Sequence, residues 1–201
     1  MLFTEIDFII FFVIVLAIIS AIKYRKFQHV FLLTASYFFF YYSSNYLITL
    51  LIASTILDFY IGKAIWSSTN ITKKKILLSV SLAGNLGLLG FFKYADFAVT
   101  QFNLFGNHFN LTSQIPLLEL ALPIGISFYT FQTISYTVDI YRGHLTPSKT
   151  LKEFALFVAF FPQLVAGPIV RAKDFLPQLR EKIDKFETGT KLRQIIITDS
   201  N

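Results

Sequence analysis

Long apolar blocks alternate with short basic segments along the chain. Residues 6–22 open the pattern, and no polar residue interrupts them between Phe8 and Ile19. A bilayer core of about 30 Å takes roughly 20 apolar residues as a helix, so blocks of this kind predict membrane spans. Four more follow at residues 29–44, 46–66, 76–92 and 122–141, with a polar stretch at 93–116 before the last. The aromatic run from Tyr37 to Tyr42 suits a membrane-interface belt. A final apolar block, residues 154–170, carries Pro162, Gly167 and Pro168. The expected fold is all-α: a polytopic transmembrane helical protein. It has about five spans, a re-entrant or broken helix, and an interfacial amphipathic helix.

Composition narrows the class. The 201 residues are 54% hydrophobic and 15% charged, against roughly 25% charged in soluble domains. Mean hydropathy is +0.59. A water-soluble globular domain is excluded, and the apolar excess excludes a disordered chain. With no cysteine, a disulfide framework and a Cys-liganded metal site are excluded too. Glu5 and Asp7 flank the first block where a signal peptide would be basic, and no small-residue cleavage site follows.

Charge then sets orientation. Of the 18 Lys and Arg residues, all but Lys93 fall in four groups: Lys23 to Lys26, Lys63 to Lys75, Arg142 to Lys152, and Arg171 to Arg193. Five spans with the N-terminus outside place the first three groups on the cytoplasmic side and Lys93 outside, in agreement with the positive-inside rule. Topology thereby accounts for the net charge of +6. Basic residues scattered between apolar spans do not form a nucleic-acid surface. The expected location is the plasma (inner) membrane, multi-pass.

The block at 154–170 is basic on both flanks, so a simple span would carry the densest basic segment outside. Pro162 and the Gly167-Pro168 pair also break a helix. It reads as a re-entrant or broken helix, a candidate wall of a polar funnel, since irregular backbone at membrane depth needs protein or a water-lined cavity around it. An ordinary kinked span is the alternative. Residues 171–193 mix both charges with Phe175, Leu176, Leu179, Ile183 and Phe186 at helical spacing, an amphipathic cytoplasmic segment. Residues 194–201 begin what reads as a further span. One membrane domain covers 1–201, with 1–170 holding the spans and the re-entrant block.

Few side chains carry chemistry. Asp58, one turn after Ser54, is costly inside a span. It either lines a polar cavity or is held by a neighbouring helix. Glu119 precedes the fifth span and is read as exposed. On that span Gln132, Ser135, Asp139 and Arg142 share one face, and Asp139 and Arg142 are spaced to pair. Thr130, Thr133 and Thr137 form a second polar patch. Either face could line a passage or bond a neighbouring helix. Asn85 stands among Gly84, Gly87 and Gly90, and the Ala83–Gly87 small-residue pair predicts close helix packing. His29, His108 and His144 lie at span boundaries or in loops, without the spacing of a catalytic or metal site. No phosphate loop or nucleophile elbow appears.

Two longer motifs add to this. LPIGISFYTFQTISYTVDIYRG runs from Leu122 to Gly143, and FFPQLVAGPIVR from Phe160 to Arg171. With NLGLLGFFKY from Asn85 and DFYIG from Asp58, they resemble the membrane-bound O-acyltransferase family, and within it the bacterial alginate O-acetyltransferases and their peptidoglycan and teichoic-acid relatives. The resemblance implies a ring of helices around a funnel. An acyl group, such as acetyl from acetyl-CoA or an acyl carrier, enters from the cytoplasm. An extracytoplasmic polysaccharide or partner protein accepts it outside, with membrane lipid around the ring. Gln132, Asp139, Pro162, Gln163, Gly167, Pro168 and Arg171 match motif positions and are expected to line or shape the substrate passage. The family's catalytic histidine belongs to a later span, in proteins about twice this length. No catalytic residue is carried over, and no bound cofactor or metal is expected. The chain therefore reads as the N-terminal half of such an enzyme, truncated and inactive alone. A non-enzymatic channel or export scaffold is the alternative, and D-alanyl transfer or peptidoglycan acetylation are alternative chemistries.

Overall fold

The computed structural model describes residues 6–108, 115–119, 123, 125–166 and 170–180. Among them all regular structure is helical: α1 (Ile6–Ala21), α2 (Arg25–Ser44), a 3-10 turn (Asn45–Leu47), α3 (Ile48–Ser67), α4 (Ile71–His108), α5 (Ile126–Tyr141), α6 (Leu151–Ala159), α7 (Phe161–Ala166) and α8 (Ala172–Arg180). Two helical stretches, Lys26–Ser67 and Ile71–Gly106, are long and apolar enough to cross a membrane, while Ile6–Ala21 is apolar but shorter.

Local chemistry sets the boundaries. Asn45, at φ 50° and ψ −131°, ends α2, its amide donating to Tyr41 O, and the chain reverses into α3. Asn70 caps α4, its Oδ1 accepting from the amides of Thr72 at 2.8 Å and Lys73 at 3.2 Å, a standard N-cap arrangement. Thr150 caps α6 by accepting from Glu153 N at 3.2 Å. The end of α5 is closed by Gly143 at φ 75°. Its amide donates to Ile140 O and the His144 amide to Asp139 O, the paired bonds of a Schellman motif. The Arg142-Gly143 dipeptide of the long motif thus serves as a helix stop.

α5 is the hub, packed on α3, α4, α6 and α8. Tyr136 is fully buried at its centre. Its ring lies 4.2 Å from that of Phe154, and its hydroxyl accepts from Ser148 N at 3.1 Å. α3 approaches closely only because residue 62 is glycine: a Cβ there would stand 2.8 Å from Tyr136 Cε1. The main core continues through Phe40, Leu51, Phe59, Phe154, Phe157 and Phe175. A second cluster docks α1, with Phe161 of α7 inserted among Phe8, Phe11, Phe12 and Phe39 at centroid distances of 5.3–6.4 Å.

Several expectations are corrected. The fourth element does not stop near Phe92 but runs unbroken through the polar stretch to His108. No proline falls within it, and Lys93, Gln101 and Phe102 are exposed on its surface, so polarity changes its surroundings and not its conformation. The apolar block at 154–170 begins earlier, at Leu151, and its helix breaks at Phe160, ahead of Pro162. There the Phe161 amide donates to Ser36 Oγ at 3.4 Å instead of continuing α6, and Pro162 sits in the first turn of α7, where its missing N–H is tolerated. Ala83 is exposed, a Cβ added at Gly87 or Gly90 would meet nothing within 4 Å, and one added at Gly84 would stand at an ordinary 3.6 Å from Leu57 Cδ2; the Ala83–Gly87 pair makes no close helix contact among the described residues. α8 uses its expected apolar face for packing: Ala172, Phe175 and Leu176 are buried, with Phe175 against Phe157 and Phe160. Ile183 and Phe186 lie outside the described residues.

Candidate functional site

The polar stripe of α5 meets the broken helix. Gln132 is buried on the face turned toward α7, and its Nε2 donates to Gln163 Oε1 at 3.0 Å. The two long motifs therefore touch through a pair of carboxamides. Gln132 Oε1 and, two turns further along, Asp139 Oδ2 are buried and accept no hydrogen bond among the described residues. Ser135 folds back to Gln132 O at 2.8 Å. Arg142 is exposed, and among the described residues it forms no ion pair with Asp139, contrary to the spacing argument. As C-cap of the Schellman turn, it projects past the helix end.

The remaining motif residues take separate places. Pro162 and Gln163 are half-buried at the start of α7. Arg171 is exposed, and its carbonyl accepts from Asp174 N and Phe175 N to start α8. Gly167 and Pro168 lie outside the described residues. Glu119 is exposed, as expected.

A second polar centre occupies the opposite side of α5. Asp58 of α3 has no exposed surface. Its Oδ1 accepts from Ser81 Oγ at 2.5 Å and its Oδ2 from Asn85 Nδ2 at 2.7 Å. Asn85 Nδ2 also donates to Ser81 O at 2.9 Å, and its Oδ1 accepts from Thr133 Oγ1 at 3.0 Å. Ser81 Oγ is 3.2 Å from Thr137 Oγ1. Three helices are thus joined through one carboxylate and one amide with every buried polar group partnered, the condition under which such groups are tolerated. Asn85 was assigned above to small-residue packing. The missed signal was a pair of matching patterns: Ser81 and Asn85 at i, i+4 on one helix, Thr133 and Thr137 at i, i+4 on the next. Of the alternatives for Asp58, the structure selects the neighbouring helix.

The three histidines lie at helix ends, and His144 is joined to Asp139 through its backbone amide. His29 lies in the second turn of α2, His108 ends α4, and His144 follows α5. α5 therefore presents two polar faces: a closed lock toward α3 and α4, and an amide face with spare acceptors toward α7.

Known proteins resemble the chain over most of its length. The chain is 37% identical over 171 residues to the probable alginate O-acetylase AlgI of Pseudomonas putida, covering 82% of this chain and 35% of that protein. It is 35% identical over 195 residues to the Pseudomonas aeruginosa protein of the same name, covering 94% and 37%. The chain is a relative of the alginate O-acetylases. A peptidoglycan O-acetyltransferase of Helicobacter pylori is 33% identical over 161 residues, covering 68% of this chain and 30% of that protein. The chain spans about a third of the length of these curated relatives, not the half expected above. No family model and no solved structure matches it.

Proposed function

We propose that the chain supplies the membrane-embedded N-terminal part of a membrane-bound O-acyltransferase that acetylates an extracytoplasmic polysaccharide, alginate being the first candidate. The observation that carries this reading is the identity to alginate O-acetylases over 94% of the chain. The helices sit in the inner membrane as about five spans with the N-terminus outside. α6 and α7 form the re-entrant element, and Arg171 and Lys173 face the cytoplasm.

Acyl transfer to a hydroxyl needs aligned donor and acceptor, exclusion of water, and a base with a pKa near the working pH. Gln132 and Gln163 contribute to the first two. Their joined carboxamides, with the Asp139 carboxylate two turns away, offer acceptors to hydroxyl- or amide-bearing groups moving along α5. Pro162 shapes the start of α7, and Arg171 marks the cytoplasmic edge of the wall. A carboxamide does not titrate, and the three histidines stand at helix ends and not on the α5 stripe. The family resemblance puts the base in a later span, outside these 201 residues, and on that reading the chain alone is inactive. The acyl group arrives from acetyl-CoA or an acyl carrier as substrate. The peptidoglycan O-acetyltransferase relative supports a second reading, in which the acceptor is a peptidoglycan sugar.

A segment swap tests the proposal. This chain replaces the matching segment of the Pseudomonas putida protein in a strain lacking its own copy, and acetyl esters on secreted alginate are measured. Esters well above the deletion background are expected. A chimera present in the membrane at normal abundance that forms none would count for the non-enzymatic scaffold.

A further inference from the structure

α4 is longer than its neighbours, and the surplus lies at one end. α3 reaches it through the short loop 68–70 and packs back along it, with Asp58 level with Ser81 and Asn85. α5 is antiparallel to it too, with Thr133 at Asn85 and Thr137 at Ser81. Counted outward from these contacts, α3 ends at Ile48 and α5 at Ile126. The same counts along α4 reach Phe92 or Lys93 by either route. Ile71 to Lys93 is about 33 Å at 1.5 Å per residue, close to the depth of a bilayer core of about 30 Å. From Lys93 to His108, α4 runs on for about 22 Å past both neighbours. In the proposed topology that length stands outside the membrane.

The chain covers one side of this projection itself. The Leu118 amide donates to Asp96 Oδ1 at 2.8 Å and the Ile115 amide to Asn103 Oδ1 at 2.9 Å, while Asn103 Nδ2 donates back to Ile115 O at 2.7 Å. At about 100° per residue, Tyr94, Phe97, Gln101 and Phe102 point away from that strap. Tyr94, Phe97 and Phe102 are each more than half exposed. They lie beyond the hydrocarbon of the bilayer, where lipid chains do not cover them. A group of large apolar side chains held out in water marks an interaction surface. The same side of α4 continues inward through Ala83, Gly87 and Gly90. Ala83 is exposed, and a Cβ at either glycine would meet nothing within 4 Å, so another span has room to approach closely there.

We infer that this side of α4 seats the rest of the enzyme: a later span lies along Ala83 to Gly90, and an extracytoplasmic segment joined to it covers Tyr94, Phe97 and Phe102. The matched stretch is 37% of the Pseudomonas aeruginosa protein, so a full-length enzyme of this kind has the chain to supply both. The inference rests on the topology and the partial-enzyme reading proposed above. The projecting end of α4 is then a fixed post that registers the two parts of the enzyme outside the membrane.

The chain has no cysteine, so an introduced thiol reports its own surroundings. Phe97→Cys and Gln101→Cys are placed in turn in the 201-residue chain and in the segment-swapped enzyme. Modification by a membrane-impermeant maleimide is timed in right-side-out spheroplasts, with the unsubstituted proteins as background, and alginate esters are measured on the parent cells. Both thiols should react readily in the chain alone and about ten-fold or more slowly in the swapped enzyme, because a thiol reacts only as far as it is exposed. Protected thiols without esters would support the seat and count against acyl transfer. An enzyme that forms esters while both thiols react as fast as in the chain alone would overturn the inference and leave the proposed function standing. Thiols already slow in the chain alone would overturn it as well, because the chain itself, a second copy or the outer leaflet would then be the cover.

Discussion

Asp58 shows how a single costly side chain is accommodated. Its two oxygens accept from Ser81 and Asn85, and Asn85 is in turn held by Thr133, so removing the carboxylate strands donors on a second helix. Asp58→Leu should lower stability by about 1–3 kcal/mol, the range for leaving buried polar groups unpaired. Asp58→Asn, which keeps one carbonyl acceptor, should cost less. Thermal unfolding of the chain in detergent checks both. The cost of Asp58 was visible in the sequence because ionisable residues are rare inside spans. Its partners were not visible: Ser81 and Asn85 lie 23 and 27 residues further along, on a helix whose glycines drew the eye to packing instead.

At the scale of elements, hydrophobic blocks located α1, α2, α3 and α5 to within a few residues, because apolar runs of that length leave little choice of conformation. The boundaries that failed did so for physical reasons. α4 continues to His108 because polar residues on an exposed helix surface do not break it. The break of α6 at Phe160 was legible locally, because Pro162 cannot bond back into α6 and disfavours helical backbone just before it; what the sequence did not show is that Ser36 of α2, 125 residues away, takes up the Phe161 amide. That stop aims Phe161 into the aromatic cluster holding α1. Phe161→Ala should therefore cost about 3 kcal/mol through the cavity it leaves. It should also loosen α1 selectively, read as faster tryptic cleavage at Lys23 with the α3–α5 core intact.

At the scale of the molecule, α5 separates two kinds of polar chemistry. Toward α3 and α4 every group is satisfied, and the face serves as a lock. Toward α7, Gln132 is bonded on one side only and Asp139 keeps a buried oxygen free. The sequence showed both stripes, since i, i+3, i+4 and i+7 spacings define faces, but it could not say which face was closed. That depended on what the neighbouring helices presented. The amide face is the one assigned to the substrate passage, and its contribution is measurable inside the segment-swapped enzyme. Gln132→Leu keeps the volume of the side chain while removing its hydrogen bonds. Turnover of alginate acetylation should fall about ten-fold or more, as expected where an interaction positions reacting groups, with membrane abundance and melting behaviour unchanged. Turnover equal to that of the unsubstituted chimera would contradict the passage.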